Sequence, residues 1–293
     1  MMVNLPRRTV LASGLLAAAP LRAAGRMTLT VATFPLLDEI ARAAIPQWQR
    51  LYPEVDIQIV NRQYADHHTA MTTALSTSVL LPDVMALESS FVGRYAQGLG
   101  LEDLSREPYR VDRFRAQLVP YAYDQALARS GAVVAVPTDI GPGTMLYRQD
   151  ILARAGVAEQ ALTESWDSYV AAGARIKRSS GAYLIAHVSE IKDILIRTGI
   201  QPGEGLYFDT ASRVLVESDR FVRAFEVALQ VRRLGLDAKV AAWSNEWAEG
   251  FKRGSLATEL GGAWLVGQLS NWVAPQTAGL WRAAALPEGA NAG

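Results

Sequence analysis

There is no cysteine in the 293-residue sequence. This excludes disulfides, thiolate metal sites, thiol catalysis and a lipid-anchored N-terminal cysteine, although it does not fix a compartment. No apolar run approaches the roughly 18 residues a membrane-spanning helix needs. Charge of one sign is missing too. Lys plus Arg and Asp plus Glu stand at 29 each, so nothing resembles the basic footprint of a nucleic-acid binder. The glycine-x-serine-x-glycine elbow, the phosphate-binding glycine loop and the paired-histidine zinc signature are all absent. Neither internal repeats nor low-complexity segments occur. What remains is an ordinary globular composition, 50% hydrophobic and 20% charged, long enough for two domains of about 100–150 residues each.

The N-terminus supplies the compartment. Arg7-Arg8 precede the apolar stretch Val10–Ala19, followed by Pro20 and small residues around Ala23-Ala24-Gly25. This is the pattern of a secretory signal over residues 1–25, open to either a twin-arginine or an ordinary Sec reading. Val10–Ala19 is too short to be a stable anchor. Removing Arg7, Arg8 and Arg22 would leave the mature chain slightly acidic.

Met27–Thr33 alternates and is β-branched, which predicts a strand. A helix over Leu36–Leu51, a strand over Val55–Val60, a helix over Thr69–Val79, a short strand at Val84–Leu87 and a helix over Phe91–Gln97 follow. This alternation predicts an α/β lobe with a mostly parallel sheet, spanning 26–138. In Val136–Asp150, Pro137, Gly141, Pro142 and Gly143 interrupt two apolar runs, so 139–143 reads as a hinge crossing. A second lobe then covers 144–286. Ser165 is expected to cap a helix over Trp166–Arg178. Tyr183–Val188 reads as a buried strand delivering His187, Ser189 and Glu190 to its end. A hairpin is expected from Leu206–Asp209 and Val214–Glu217, then a helix from Asp219 to Leu234. Strands follow at Leu256–Leu260 and Arg282–Leu286, with helix over Trp264–Trp272 between them.

Gln47-Trp48-Gln49-Arg50-Leu51-Tyr52-Pro53-Glu54-Val55 is similar to the helix-to-strand turn of extracellular solute-binding proteins of ABC importers. Pro82-Asp83-Val84, Tyr95-Ala96-Gln97-Gly98-Leu99, Leu101-Glu102-Asp103-Leu104 and Tyr147-Arg148-Gln149-Asp150 follow in that family's order. So do Ala155-Gly156-Val157, Ser165-Trp166-Asp167, Phe251-Lys252-Arg253-Gly254 and Gly261-Gly262-Ala263-Trp264. The sequence most resembles the sugar-binding branch, which includes the maltose-binding proteins. The resemblance implies an α/β, two-lobed fold of the type II periplasmic-binding-protein kind, each lobe a mostly parallel sheet flanked by helices. It further implies a soluble, periplasmic monomer without a lipid anchor. Such a protein captures a mono- or oligosaccharide in the interlobe cleft by hinge closure and delivers it to an ABC permease in the inner membrane. No catalytic residue, cofactor, metal or nucleic acid is expected. In the relatives, the Leu286-Pro287-Glu288-Gly289 segment begins the return to the first lobe, and here 287–293 is all that follows. The fold is therefore expected to be C-terminally incomplete, with the first lobe exposing apolar surface that relatives bury.

Sugar sites combine flat apolar faces for pyranose rings with polar groups for hydroxyls, and ligands of open α/β sheets sit at strand carboxyl ends. Trp264 follows a strand through Gly261-Gly262 and matches the family's stacking tryptophan; core packing is its alternative role. Glu88, Ser89 and Ser90 lie at a strand end, where a carboxylate can accept from sugar hydroxyls. Asp139 in the hinge is a further candidate, though it can equally satisfy turn amides. Phe34, Tyr64 and Trp243 are candidate aromatic contacts, and Ser189 is a candidate polar one. Trp166, Trp247, Trp272 and Trp281 are assigned to packing or helix surface. Adjacent His67-His68 reads as a solvated pair rather than a metal site, and His187 as a core histidine. Two other functions stay open. A cationic or other non-sugar solute would draw on Glu88, Asp139 and Glu190. A secreted hydrolase would need Ser189, whose Ser189-Glu190-Ile191-Lys192 context lacks the partner motifs of penicillin-binding enzymes.

Overall fold

The alternation of Met27–Thr33 becomes strand β1, in a computed structural model that describes residues 26–98 and 100–290. The expected export signal lies outside these residues, as do Leu99 and 291–293. The chain forms two compact units that divide between Thr138 and Asp139.

In the first unit, β1 is followed by α1 (Leu37–Leu51), β2 (Val55–Asn61), α2 (Tyr64–Thr77), β3 (Val84–Met85), α3 (Ser89–Tyr95) and α4 (Pro120–Gln125). The sheet order is β2-β1-β3 and both pairings are parallel, with Met27 opposite Val55 and Thr33 opposite Asn61. Helix α2 begins at Tyr64, ahead of the Thr69 start that the apolar pattern indicates. Its inward face is His67, His68, Met71 and Ala74, and the two polar residues at its head concealed the register. Helix α3 likewise begins early, because the Glu88 carboxylate accepts the Ser90 N–H at 3.1 Å and caps it. Pro46 sits inside α1 without ending it. Although α1 is amphipathic, none of its residues is buried, and Ile40 and Leu51 are 66% and 67% exposed. Parallel sheets are normally covered on both faces, and the core of this unit is correspondingly thin: small clusters centred on Met71, Val92 and Tyr123.

The second unit runs β4 (Gly143–Arg148), α5 (Gln149–Ala155), α6 (Gln160–Thr163), α7 (Trp166–Ser180), α8 (Val188–Thr198), α9 (Asp219–Arg233), α10 (Asn245–Arg253), β5 (Thr258–Gly262), α11 (Leu265–Gln268) and β6 (Trp281–Ala284). Its sheet order is β5-β4-β6, and both pairings are antiparallel. Parallel pairing enters only as bridges, Tyr183 with Leu256 and Ile185 with Asp237. The sheet of this unit is therefore mixed rather than mostly parallel. Strand–helix alternation does not fix strand direction when the neighbours of β4 lie far along the chain. Tyr183–Val188 also forms no full strand. At His187 the extended run gives way to α8 through a capping box, His187 accepting the Ser189 N–H and Glu190 accepting the His187 N–H. A second capping box, Ser165 with Ser168, starts α7 where the sequence places it. Trp166, Tyr169 and Ile176 of α7, Ile191 of α8 and Val231 of α9 pack around Met145, Leu184 and Ile185. Leu146 joins Trp247, Phe251 and Trp281 in a second cluster.

Candidate functional site

In the first unit, Phe34, Tyr64, Glu88, Ser89 and Ser90 come together. Phe34 ends the β1 segment and meets Tyr64, the first residue of α2, edge-on at 5.3 Å. The Tyr64 hydroxyl donates to Glu88 Oε2 at 3.4 Å. Glu88 also accepts from the Ser89 hydroxyl at 3.1 Å, from the Ser90 N–H and from the Ser90 hydroxyl. Burial alone would raise the Glu88 carboxyl, but the Ser90, Ser89 and Tyr64 donors outweigh it and hold the group below its ordinary value. Burial, followed by the Glu88 charge, pushes the Tyr64 phenol up to about 12. Glu88 is thus both a helix cap and a fixed negative charge ringed by hydroxyls.

His67 and His68 are not solvated; they are 0% and 2% exposed. His67 Nε2–H donates to the Ala86 carbonyl at 2.8 Å, and burial lowers its pKa. His68 Nδ1–H donates to the Tyr64 carbonyl at 2.9 Å, leaving Nε2 to accept the Glu88 N–H at 3.4 Å. Its ring stacks on Phe91 at 4.1 Å. His68 therefore ties the backbones of Tyr64 and Glu88 to one another. The sequence signal for this was available: His67, His68, Met71 and Ala74 share one helical face.

In the second unit, Trp264 and Trp243 meet. Trp264 follows the end of β5, and its ring lies nearly parallel to that of Trp243, 18° between planes and 5.8 Å between centroids. Both are broadly open to solvent, at 45% and 55%. Two glycines make room for the Trp264 indole. A Cβ on Gly262 would sit 2.1 Å from its Nε1, and one on Gly141 would sit 3.1 Å away. Trp243 occupies the left-handed backbone region at φ 67°, a strained state for a bulky residue that persists only where surrounding structure holds it. Beneath it lies Trp247, at 4.9 Å and 2% exposed. The result is a flat apolar platform with an indole N–H at its edge.

Two candidates are occupied locally. Asp139 Oδ1 accepts the neighbouring Ile140 N–H at 2.8 Å, the turn role that was its alternative. Ser189 is half-buried, and both its N–H and its hydroxyl are engaged with His187 Nδ1. Trp166, Trp247 and Trp281 are buried, and Trp272 lies on the surface. Among the described residues, no group of three or more His, Asp or Glu side chains is placed to hold a metal, and no helix is long and apolar enough to cross a membrane.

The chain belongs to the family described as bacterial extracellular solute-binding protein, whose model matches residues 34–293. It is 26% identical to the lactose-binding protein of Rhizobium radiobacter, covering 85% of this chain and 58% of the relative. It is 23% identical to the arabinooligosaccharide-binding protein of Bacillus subtilis strain 168, covering 69% of this chain and 46% of that protein. The chain thus spans about half the length of these curated relatives. Among solved structures, the ABC transporter associated binding protein from B. animalis subsp. lactis Bl-04 in complex with beta-1,6-galactobiose superposes with a TM-score of 0.74. That match has 22% identity and covers 90% of this chain and 65% of that one. The likeness shows the fold, the type II α/β organisation of periplasmic binding proteins.

Proposed function

We propose that the chain serves as the substrate-binding component of an ABC sugar importer. It takes up a mono- or oligosaccharide, closes about the 139–143 hinge, and hands the ligand to a membrane permease without covalent chemistry. The observation that carries this reading is the Trp243–Trp264 platform: a stacked, solvent-open pair kept in place by glycines and a strained backbone. Such a surface offers a pyranose ring the apolar face it needs. The hydroxyls of Tyr64, Ser89 and Ser90, held by their donation to Glu88, offer their own oxygens to sugar hydroxyls. Supporting it, the named relatives bind lactose and arabinooligosaccharides. The same reading makes the mature protein an exported, periplasmic monomer without a lipid anchor.

Isothermal titration with lactose, beta-1,6-galactobiose and arabinooligosaccharides, followed in parallel by tryptophan fluorescence, tests the proposal. Saturable binding of at least one, weakened by Trp264→Ala, is expected. A folded protein that responds to none of them would overturn the sugar assignment.

A further inference from the structure

Every hydroxyl around Glu88 points its proton the same way. The Tyr64 hydroxyl donates to Oε2 at 3.4 Å, the Ser89 hydroxyl to Oε1 at 3.1 Å, and the Ser90 hydroxyl to Oε2. A hydroxyl has one proton and two lone pairs. With its proton committed inward, each of the three oxygens can only accept on its outer side. The cluster therefore offers a ligand acceptors and no donors. Ser89 and Ser90 are exposed and Tyr64 is 45% exposed, so a ligand can reach them. Capping of α3 does not require this arrangement, because the Ser90 N–H alone satisfies the cap.

The charge beneath the hydroxyls meets no cation. The groups that donate to Glu88 are three hydroxyls and one amide, all neutral. They hold the carboxyl below its ordinary value against the opposing effect of burial. His68 Nε2 accepts the Glu88 N–H at 3.4 Å, so that nitrogen carries no proton, and burial works against charging His67. Aromatic rings stand alongside. Phe34 meets Tyr64 at 5.3 Å, and both touch the His68 ring, at 5.3 and 4.5 Å. The faces of such rings attract cations. An ammonium is the complement of these features, because it has three donors, no acceptor and a positive charge. A sugar hydroxyl uses the acceptor oxygens alone, whereas an ammonium also uses the carboxylate charge and the rings.

We propose that Tyr64, Glu88, Ser89 and Ser90 form a subsite for a protonated amino group, so that the ligand taken up is an amino sugar. This rests on the reading of the cluster as a sugar-contacting surface and adds the charge of the ligand to it. It requires nothing of the Trp243–Trp264 platform.

Amide NMR spectra of the 293-residue chain, titrated with glucosamine, glucose and N-acetylglucosamine, read the Ser89 and Ser90 backbone directly. The three sugars differ in one substituent: an ammonium, a hydroxyl or a neutral amide. Glucosamine is expected to shift both amides saturably and to bind about tenfold more tightly than either neutral sugar at low ionic strength. In about 1 M salt, where charges are screened beyond about 3 Å, the preference should shrink to within about threefold. Glu88→Gln should abolish the preference at any salt concentration. Tyr64→Phe, which keeps the ring and leaves the cap untouched, should reduce it about threefold by removing one acceptor. Equal affinity for the three sugars, a preference that salt does not change, or unmoved Ser89 and Ser90 amides would overturn the proposal. Lactose, titrated into the same sample, separates this from the wider assignment. Lactose binding without a glucosamine preference sinks the ammonium subsite and leaves the sugar reading standing. A salt-sensitive glucosamine response without lactose binding supports the subsite and counts against the neutral sugars named above.

Discussion

Adding one methyl group, Gly262→Ala, should dismantle the Trp243–Trp264 platform while leaving the second unit folded. The new Cβ would lie 2.1 Å from Trp264 Nε1 and 2.6 Å from Cδ1, far inside any non-bonded contact. Of the two groups, the ring is the one that can yield. Gly262 pairs with Gly143 in the β4–β5 ladder, whereas the indole is 45% exposed. Position 262 is not in the left-handed region, so alanine brings no backbone strain of its own. Losing the aromatic pair costs about 0.5–1.5 kcal/mol. Replacing a strand glycine with alanine returns about 0.5–1 kcal/mol. Net stability should therefore move by less than about 1 kcal/mol, a change in Tm of about 2–4 °C for a chain of this size.

Ligand binding has no such compensation. If a sugar ring stacks on Trp264, its displacement should weaken binding by about 1–3 kcal/mol, or about 5- to 150-fold in Kd. Gly141→Ala is the graded control. Its Cβ would stand 3.1 Å from Nε1, so the ring need shift only slightly and the loss should stay within about threefold. Calorimetric titration with lactose beside differential scanning fluorimetry separates the two quantities. Lactose affinity within about twofold of wild type in Gly262→Ala would refute the claim that this glycine sets the ring, and so would a collapse of the fold.

Stability should fall as pH rises through the neutral range. Burial raises the Glu190 carboxyl in the folded state, so between its ordinary value of 4.5 and about 8 the folded chain holds a proton that the unfolded chain has released. The Glu190 contribution is fully present below 4.5 and gone above about 8, an upper bound of about 5 kcal/mol; urea midpoints that rise between these limits would contradict it. Ser165→Ala removes half of the capping box at the head of α7 and should cost about 1 kcal/mol, read as a lower urea midpoint at unchanged m-value. His68→Leu breaks the links to the Tyr64 carbonyl and the Glu88 N–H. It should destabilise by about 1–3 kcal/mol through the orphaned buried groups, measured as faster amide exchange confined to the first unit.

Where local chemistry decides the fold, the sequence was readable. The alternation of Met27–Thr33 became β1, and Ser165 capped α7 at the residue expected. Failures came where tertiary context decides. Imidazole counts as polar, so His67 and His68 are placed inside only by the helical face they share with Met71 and Ala74, and their ring nitrogens meet backbone groups of Ala86, Tyr64 and Glu88. Strand direction in the second unit was likewise hidden. Each strand there is locally unremarkable, and only its distant partner sets it parallel or antiparallel. The helix at Ser89 began early because Glu88, singled out as a ligand acceptor, is first of all a cap.

The candidate site divides along the same line. Exposed tryptophans beside glycines announce themselves, since a large flat ring next to a residue without a Cβ leaves few structural explanations. Trp264, which follows Gly261-Gly262, is a candidate on those grounds and Trp243 only as an isolated aromatic, and nothing in the sequence indicates their stacking on one another. Glu259 was not legible at all. It stands in Ala257-Thr258-Glu259-Leu260, where a single carboxylate reads as the solvent face of a strand, yet it is 4% exposed. Burial pushes its carboxyl up, and the Trp247 indole N–H donates to its Oε1 at 3.3 Å. A buried polar group is tolerated only with a hydrogen-bond partner, and that partner comes from α10 rather than from the strand's own neighbours. The least visible residue of the site is therefore the one that anchors Trp247, on which the most visible ones pack.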